Sequence, residues 1–163
     1  MIRFAEKKDC INLTALSIQV WLNTYAKDGI RQKISSYVLS AFTKDHFERL
    51  LKSENTPILV YESEGHLVGY AMARLDSHFE TPENGYEVDT LYVHDRFQGC
   101  GIGRTLLMEL GSRFGEAFWL STWHRNIPAL NFYRSFGFKE VGTLDFMLGD
   151  EAHKNIVLSF SKP

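Results

Sequence analysis

The sequence predicts an α/β fold in which helices cover a mixed β-sheet. Apolar residues recur at helical spacing over 11–25, 34–51 and 106–114, and short apolar runs bounded by turn residues predict strands between and after them. One unit, 86–122, has the order strand, helix, strand, which predicts a right-handed parallel crossover. The 163 residues are 44% hydrophobic and 13% aromatic, so we expect one compact domain spanning 1–163.

The N-terminal half contains a short strand, two helical regions and a hairpin. IRF predicts the first strand, and Asp9 is a candidate N-cap for the helix over 11–25. The region 34–51 predicts a second, broken helical region, with Thr43 as the cap of its last piece, KDHFERLL. PILVYE and LVGYAMARL predict two strands joined by a tight turn at Gly65.

The C-terminal half alternates strands and helices. YEVDTLYV predicts a strand, a glycine-rich loop leads into the next helix, and AFWLST predicts the strand that follows. NIPALNFYRSF predicts a helix with Asn126 as its N-cap and Gly137 as its C-terminal stop. Two closing strands are expected near 140–146 and 155–160.

The strand YEVDTLYV carries two carboxylates, so the direction of its side chains matters. Strict alternation would place its odd-numbered residues on one face, and these are Glu87, Asp89, Leu91 and Val93. The even-numbered residues would then lie on the opposite face, and these are Val88, Thr90 and Tyr92.

Composition and charge exclude several classes of function. With 18 basic and 20 acidic residues the formal net charge is −2, and no Lys/Arg run is present, which argues against a nucleic-acid partner. Two cysteines give no disulfide framework, and the six histidines lack ligand spacing, so no metal is expected. No apolar run reaches membrane-spanning length, and the start has no signal-peptide pattern, so we expect a cytoplasmic protein with no membrane partner.

The stretch FQGCGIGRTLL places glycines at 99, 101 and 103, between a strand and a helix. In that context main-chain N–H groups and the helix dipole bind phosphate, although a tight turn alone would also explain the glycines. The dinucleotide fingerprint requires a glycine where Arg104 stands, and a P-loop requires one where Gln98 stands. Both of these motifs therefore fit poorly.

The pattern Gln98-x-x-Gly101-x-Gly103 resembles the acetyl-CoA loop of the GCN5-related N-acetyltransferases, the GNAT family. Two further segments, in the order found in that family, agree with the resemblance. NIPALNFYRSFGF, beginning at Asn126, resembles its Asn…Ala…Phe-Tyr…Gly-Phe segment, and EVDTLYV, beginning at Glu87, resembles its central strand.

The resemblance implies a sheet of about six to seven strands whose parallel central strands splay apart, with helices on both faces. It implies acetyl-CoA as cosubstrate and no metal. The pantetheine arm would pair with the main chain near Leu91 and Val93, and the diphosphate would lie on amides of the glycine loop. The implied cofactor-binding residues are Leu91, Tyr92, Val93, Gln98, Gly99, Cys100, Gly101, Ile102, Gly103, Arg104, Asn126 and Tyr133.

The same resemblance assigns the catalytic residues. An alkyl amine, with a pKa of about 10.4, must lose a proton before it attacks a thioester, and Glu87 is the candidate base, acting directly or through water. Tyr133 is the candidate acid, although full proton transfer from a tyrosine to a thiolate is uphill by ~2 kcal/mol unless the site lowers the tyrosine pKa. Asp89 and Trp123 are candidate substrate-binding residues.

The acceptor is predicted from a broader likeness. Most of the chain resembles bacterial spermine/spermidine acetyltransferases of the GNAT family, and a polyamine would suit a mouth lined by Glu80, Glu83, Glu87 and Asp89. His153 and Asn155 depart from that subgroup. Peptide amines and other small amines stay open as acceptors, as do a CoA-binding regulatory domain and a nucleotide-binding oxidoreductase. The family also implies a homodimer as a candidate assembly.

Overall fold

A computed structural model describes residues 1–163. Its five helices are α1 Cys10–Tyr25, α2 Gln32–Ala41, α3 Lys44–Leu50, α4 Ile102–Phe114 and α5 Ile127–Phe136. Its seven strands are β1 Ile2–Phe4, β2 Ile58–Ser63, β3 His66–Arg74, β4 Tyr86–Val93, β5 Ala117–Trp123, β6 Lys139–Leu148 and β7 Glu151–Ser161. None of the helices is both long enough and apolar enough to cross a lipid bilayer.

The strands form one sheet in the order β1-β2-β3-β4-β5-β7-β6. Only β4 and β5 run parallel; every other neighbouring pair is antiparallel. The parallel pair meets only at Tyr86 with Phe118 and at Glu87 with Trp119, and beyond these residues the two strands diverge. The predicted mixed sheet with splayed central strands is confirmed.

Helices cover both faces of the sheet. Along β3, Tyr70 and Met72 pack in a core beneath α1 and α3, whereas Ala71 and Ala73 pack in a second core with α4 and α5. Because neighbouring residues of a strand point to opposite faces, these two cores lie on opposite sides of the sheet. We call the side of α1, α2 and α3 the front face and the side of α4 and α5 the back face.

A β-bulge in β4 overturns the simple alternation expected there. The pairing passes from Met72 with Thr90 to Ala73 with Val88, so Asp89 is an extra residue without a direct partner. After it, Leu91 and Val93 pack in the back-face core together with Tyr86 and Val88, while Tyr92 packs at the front. The prediction that Leu91 and Val93 share a face with Glu87 is therefore wrong.

The local capping predictions are confirmed with one exception. The Thr43 hydroxyl accepts from the His46 N–H, and the Asn126 side chain accepts from the Ala129 N–H. Gly137 ends α5 in the left-handed region, with φ 118°. Asp9 occupies the N-cap position of α1, but its side chain does not cap the helix: its backbone is already helical, and its carboxylate binds Arg3 and the Glu6 N–H instead. The two closing strands are longer than predicted.

Candidate active site

The loop between β4 and α4 contains two glycines in the left-handed region. Gly99 has φ 78° and Gly101 has φ 80°, and no atom lies within 4 Å of where a Cβ would stand at either position. Gly103 serves another purpose, because a Cβ there would lie 3.3 Å from Phe132 Cζ. The first two glycines therefore shape an open loop, and the third allows α4 to pack closely against α5.

Five main-chain N–H groups of this loop have no acceptor in the protein. The N–H of Gln98 donates to Asp95 O at 3.3 Å and that of Cys100 donates to Phe97 O at 3.4 Å, so these two are used within the turn. The remaining N–H groups belong to Gly99, Gly101, Ile102, Gly103 and Arg104. They stand at the positive end of the α4 dipole, beside an open surface, and fit the oxygens of a diphosphate.

Some side chains around the loop hold it in place, and others are free to contact a ligand. Gln98 Nε2 donates to Val93 O at 3.2 Å, which ties the loop back to the end of β4. The side chain of Ile102 is buried in the back-face core, and Cys100 is exposed. Arg104 is exposed, lies 5.0 Å from the centre of the Phe136 ring and has no carboxylate partner. Its charge is available to an anion at the loop.

The divergence of β4 from β5 exposes main-chain groups in the middle of the sheet. The His94 N–H donates to Val68 O at 2.9 Å, so alternation along the antiparallel ladder directs the polar groups of Tyr92 toward β3 as well. The main-chain polar groups of Leu91 and Val93 then point into the gap beside β5. Val93 O already accepts from Gln98 Nε2, so the edge offers the polar groups of Leu91 and the Val93 N–H to an extended ligand.

Glu87 lies on the front face where β4 and β5 still pair. Its side chain is half-buried, and burial is the main reason that the pKa of this carboxyl group is raised above its usual value. The nearby charge of Asp89 raises the pKa further, while a hydrogen bond from Ser77 and the charge of Arg74 oppose the shift. A carboxylate with a raised pKa is a better proton acceptor than an exposed one.

Asp89 has protein partners for both of its oxygens. Arg74 Nε donates to Oδ1 at 2.8 Å, and the Thr90 hydroxyl donates to Oδ2 at 2.8 Å. The Asp89 side chain is 27% exposed and that of Arg74 is 43% exposed. The pair therefore contributes little net charge to the front face, although each oxygen of Asp89 keeps a lone pair for another donor.

Tyr133 is buried in the back-face core, between Phe132 and Phe138. No protein atom hydrogen-bonds to its hydroxyl, and burial raises the pKa of this phenol above 10. Complete proton transfer to the thiolate would need a lowered tyrosine pKa, and burial has the opposite effect. The hydroxyl stays protonated and can donate a hydrogen bond. Asn126, two turns earlier on α5, serves as that helix's N-cap.

Trp123 ends β5 on the front face, where it joins aromatic residues that the sequence analysis did not assign to a site. Its ring centre lies 5.2 Å from that of Tyr25. Trp21, Tyr37 and Phe146 continue the group. Helical spacing marks Trp21 only as a core residue, and nothing local connects α1 and α2 with β6. Their convergence is visible only in three dimensions.

The other predicted positions are dispersed. Glu80 and Glu83 lie in the exposed loop between β3 and β4. No group of three or more His, Cys, Asp or Glu side chains could hold a metal ion. A surface cavity of about 360 Å³ lies elsewhere, between α1 and the β2–β3 turn, and is lined by residues including Asn12, Gln19 and His94.

Comparison with known proteins places these features in a family. The family model described as "Acetyltransferase (GNAT) family" matches residues 21–138. A Mycobacterium tuberculosis N-alpha-acetyltransferase RimI is 43% identical over 98 residues, which is 59% of this chain and 60% of that protein. A Bacillus subtilis spermine/spermidine N(1)-acetyltransferase is 34% identical over 90 residues, 51% of this chain and 59% of that protein. The chain thus aligns with little more than half the length of either relative.

Solved structures share the fold along almost the whole chain. The crystal structure of PaiA N-acetyltransferase from Thermoplasma acidophilum, in complex with coenzyme A, superposes with a TM-score of 0.77 and covers 96% of each chain. Its sequence identity is 20%, so the likeness concerns the fold.

Proposed function

The chain belongs to the GNAT family of acetyltransferases, and we propose that it transfers the acetyl group of acetyl-CoA to a primary amine, preferably a polyamine such as spermidine or spermine. We infer that residues 1–163 act as one acetyltransferase domain and that it works in the cytoplasm, where its two free cysteines would stay reduced. The observation that carries the proposal is the row of unpartnered N–H groups at the start of α4, beside a strand edge that has separated from its neighbour.

These groups support binding of acetyl-CoA. The five unpartnered N–H groups and Arg104 would hold the diphosphate, and the main chain of Leu91 and Val93 would hold the amide-bearing arm. Acetyl-CoA supplies an activated thioester at the end of that arm. Gln98 supports the loop through its bond to Val93 rather than by touching phosphate.

Glu87 supplies the base in this mechanism. An acceptor amine is mostly an ammonium ion at pH 7, and its nitrogen becomes a nucleophile only after a proton leaves. The half-buried Glu87 carboxylate accepts that proton, directly or through water, as the amine nitrogen bonds to the carbonyl carbon. Its raised pKa brings it nearer to that of the amine, which makes the transfer less unfavourable.

Tyr133 assists departure of the thiolate. When the carbon–sulfur bond breaks, its electron pair stays on sulfur, and the Tyr133 hydroxyl donates a hydrogen bond to the negative charge. Because burial raises the pKa of Tyr133, we propose that solvent supplies the proton that converts the thiolate into the thiol. The amine nitrogen loses a second proton as the tetrahedral intermediate collapses to the amide. Both protons, the first by way of Glu87, reach solvent, and solvent returns one to the thiolate, so the protein ends unchanged.

The relatives leave two kinds of acceptor to compare. One acetylates spermine and spermidine and the other is an N-alpha-acetyltransferase, as their names state. Glu80 and Glu83 on the β3–β4 loop and Glu87 on β4, which form no ion pair, support a cationic small amine, because their charges attract it. A peptide α-amine is the second candidate.

The direct test is thiol release from acetyl-CoA with spermidine, spermine, a peptide with a free N-terminus, a lysine peptide and an aminoglycoside side by side. We expect the polyamines to give the highest kcat/KM. Activity only with the peptides would mean that the acceptor is a peptide amine and not a polyamine. Inactivity with every amine, in protein shown to bind acetyl-CoA, would contradict the catalytic proposal.

Tyr133→Phe separates an enzyme from a CoA-binding regulatory domain. The variant loses only a hydroxyl that has no protein partner, so its fold and its affinity for acetyl-CoA should persist. We expect kcat to fall by about 100-fold, which is typical of a lost transition-state hydrogen-bond donor. An unchanged kcat would remove Tyr133 from the mechanism.

A further inference from the structure

The front face carries a continuous wall of aromatic rings that the catalytic proposal does not use. Tyr25, Tyr37 and Phe146 pack around the buried Trp21, and Trp123 packs against Tyr25. We call these four half-buried rings, Tyr25, Tyr37, Trp123 and Phe146, the aromatic wall. The centre of the Trp21 ring lies 4.0 Å from that of Tyr25, 4.5 Å from Tyr37 and 6.0 Å from Phe146. The four rings of the wall are only half-buried, so each presents part of its surface.

The wall reaches from the splayed strands to the edge of the sheet. Trp123 stands at the end of β5, with its ring 5.2 Å from that of Tyr25, and Phe146 stands on β6, with its ring 5.4 Å from that of Tyr37. Tyr25 also lies close enough to Tyr133 for the charge of one to affect the other. The wall therefore begins beside the proposed point of acetyl transfer and leads away from it.

Three tyrosine hydroxyls on this face, and a fourth that belongs to Tyr133 in the back-face core, have no hydrogen-bond partner in the protein. They belong to Tyr25, Tyr37, Tyr92 and Tyr133, which come from α1, α2, β4 and α5. Burial raises the pKa of each, to about 12 for Tyr25, so all four are neutral near pH 7. A neutral hydroxyl offers lone pairs to an N–H donor without attracting anions.

The charge beside the wall is negative or balanced. Asp89 lies near enough to Tyr37 and Tyr92 to affect both. The cation Arg74 pairs with Asp89 at 2.8 Å and offsets its charge, as Glu151 and Asp150 offset Arg31 and Lys33 at the far end of the wall. Half-buried Glu87 adds a second carboxylate. A cation that meets ring faces and carboxylates here is stabilised by both.

Contacts between α2 and the β6–β7 hairpin cover the far end of the wall. Leu148 is buried against Ile34 and Val38, and both Nη groups of Arg31 donate to Glu151 at 2.9 Å. Lys33 adds ion pairs to Asp150 and Glu151. These contacts hold the β6–β7 hairpin against α2 at that end of the wall.

We propose that the aromatic wall is the acceptor-binding surface and that it selects an aliphatic amine carrying a second positive charge, held against Tyr37 and Phe146. This inference rests on the proposed acetyl transfer and names the residues that determine the acceptor class. The reacting nitrogen lies toward Glu87, and the distal ammonium lies against ring faces and tyrosine oxygens.

The test compares 1,4-diaminobutane with butylamine, which differ by one terminal ammonium group. Wild-type protein should prefer the diamine by about tenfold or more in kcat/KM, the size of a partly desolvated cation–π contact. Phe146→Leu and Tyr37→Leu keep an apolar side chain but remove the ring face. Each variant should reduce kcat/KM for the diamine by about tenfold. The kcat/KM for butylamine and the KM for acetyl-CoA should stay within about twofold of the wild-type values.

Phe4→Leu is the matched control, because Phe4 is a half-exposed ring on β1, at the opposite edge of the sheet. This variant should leave kcat/KM unchanged for both amines. If the wall variants keep the full preference for the diamine, or lose activity equally with both amines, the inference is overturned while acetyl transfer stands. If wild-type protein acetylates neither amine but acetylates a peptide, the acceptor class is wrong. If it acetylates no amine at all, the proposed function itself fails.

Discussion

The protonation of Glu87, the proposed base, affects the stability of the folded protein. Its carboxyl pKa is raised in the folded protein, so the folded state binds the proton more tightly than the unfolded chain, whose glutamate pKa is about 4.3. Stability is therefore greatest when Glu87 is protonated and decreases as the pH rises through the raised pKa. At pH 7 the ionised carboxylate is destabilising, and it is also the form that can accept a proton.

We predict that Glu87→Gln lowers kcat/KM by about 10²- to 10⁴-fold, the usual contribution of a general base. Wild-type activity should rise with pH through the raised pKa of Glu87, and this limb should disappear in the variant. Melting temperature at pH 7 should not fall, because the variant removes a half-buried charge. A pH–rate profile with an unchanged acidic limb would exclude Glu87 as the base.

The residues on β4 also show where sequence reasoning stops. The motifs lead to Glu87, Gln98, Asn126 and Tyr133 without any coordinates. They cannot give the bulge at Asp89, because a bulge depends on the register with β3 and leaves the sequence pattern of β4 looking regular. The Gln98–Val93 bond and the Asp89–Arg74 pair likewise depend on how separate segments meet.

At the scale of elements, the start of α4 combines two uses of glycine that the sequence pattern does not separate. Gly101 adopts φ 80° next to open space, whereas Gly103 has ordinary helical geometry and lies against Phe132. The alternating spacing of 99, 101 and 103 predicts one purpose for all three glycines. Only the packing of α4 on α5 distinguishes them.

We predict that Gly101→Ala costs about 1–2 kcal/mol of stability, since a Cβ is disfavoured in the left-handed region, and raises the KM for acetyl-CoA by shifting the loop amides. Gly115→Ala is the matched control: Gly115 also has positive φ, 114°, and open space, but lies at the other end of α4. It should cost at least as much stability, because φ 114° with ψ 145° is a conformation used almost only by glycine, and it should leave that KM unchanged. Equal KM values for the two variants would contradict the role given to the loop.

The order of elements was largely predictable because each helix and strand carries its own periodicity and caps. Thr43, Asn126 and Gly137 act as their local sequence indicates. Asp9 does not, since Arg3 competes for its carboxylate. The aromatic wall was not predictable at all, because its rings come from four elements that are distant in sequence.

At the scale of the whole molecule, Arg3 joins the edge strand to the start of the front-face layer. It donates to Asp9 at 2.7 and 2.9 Å and to Glu62 on β2 at 2.8 Å. The hydrogen bond from Arg3 is the main reason that the pKa of Asp9 is lowered. A lowered carboxyl pKa stabilises the fold at pH values above the pKa of the unfolded chain, which is about 3.9. This stabilisation is lost as the pH falls through the pKa of the folded protein.

We predict that Asp9→Asn lowers the free energy of unfolding at pH 7 by about 1.5–3 kcal/mol, because a hydrogen-bonded charge pair loses one partner at a buried position. Urea unfolding at pH 7 and near pH 3 measures this, and the difference from wild type should shrink at the lower pH. Glu54→Gln is the control, an exposed carboxylate without an ion pair, and should change stability by less than about 0.5 kcal/mol. A pH-independent difference would contradict the charge pair.

The proposed function depends on the unpartnered amides at the start of α4, and amide NMR observes them directly. Titration of the labelled protein with coenzyme A should move the N–H resonances of Gly99, Gly101 and Gly103 strongly. Those of Gly65 and Gly149, which lie in the β2–β3 and β6–β7 turns, serve as references and should stay in place. If the loop resonances remain unmoved at saturating coenzyme A, the proposed binding site, and the acetyl transfer built on it, is wrong.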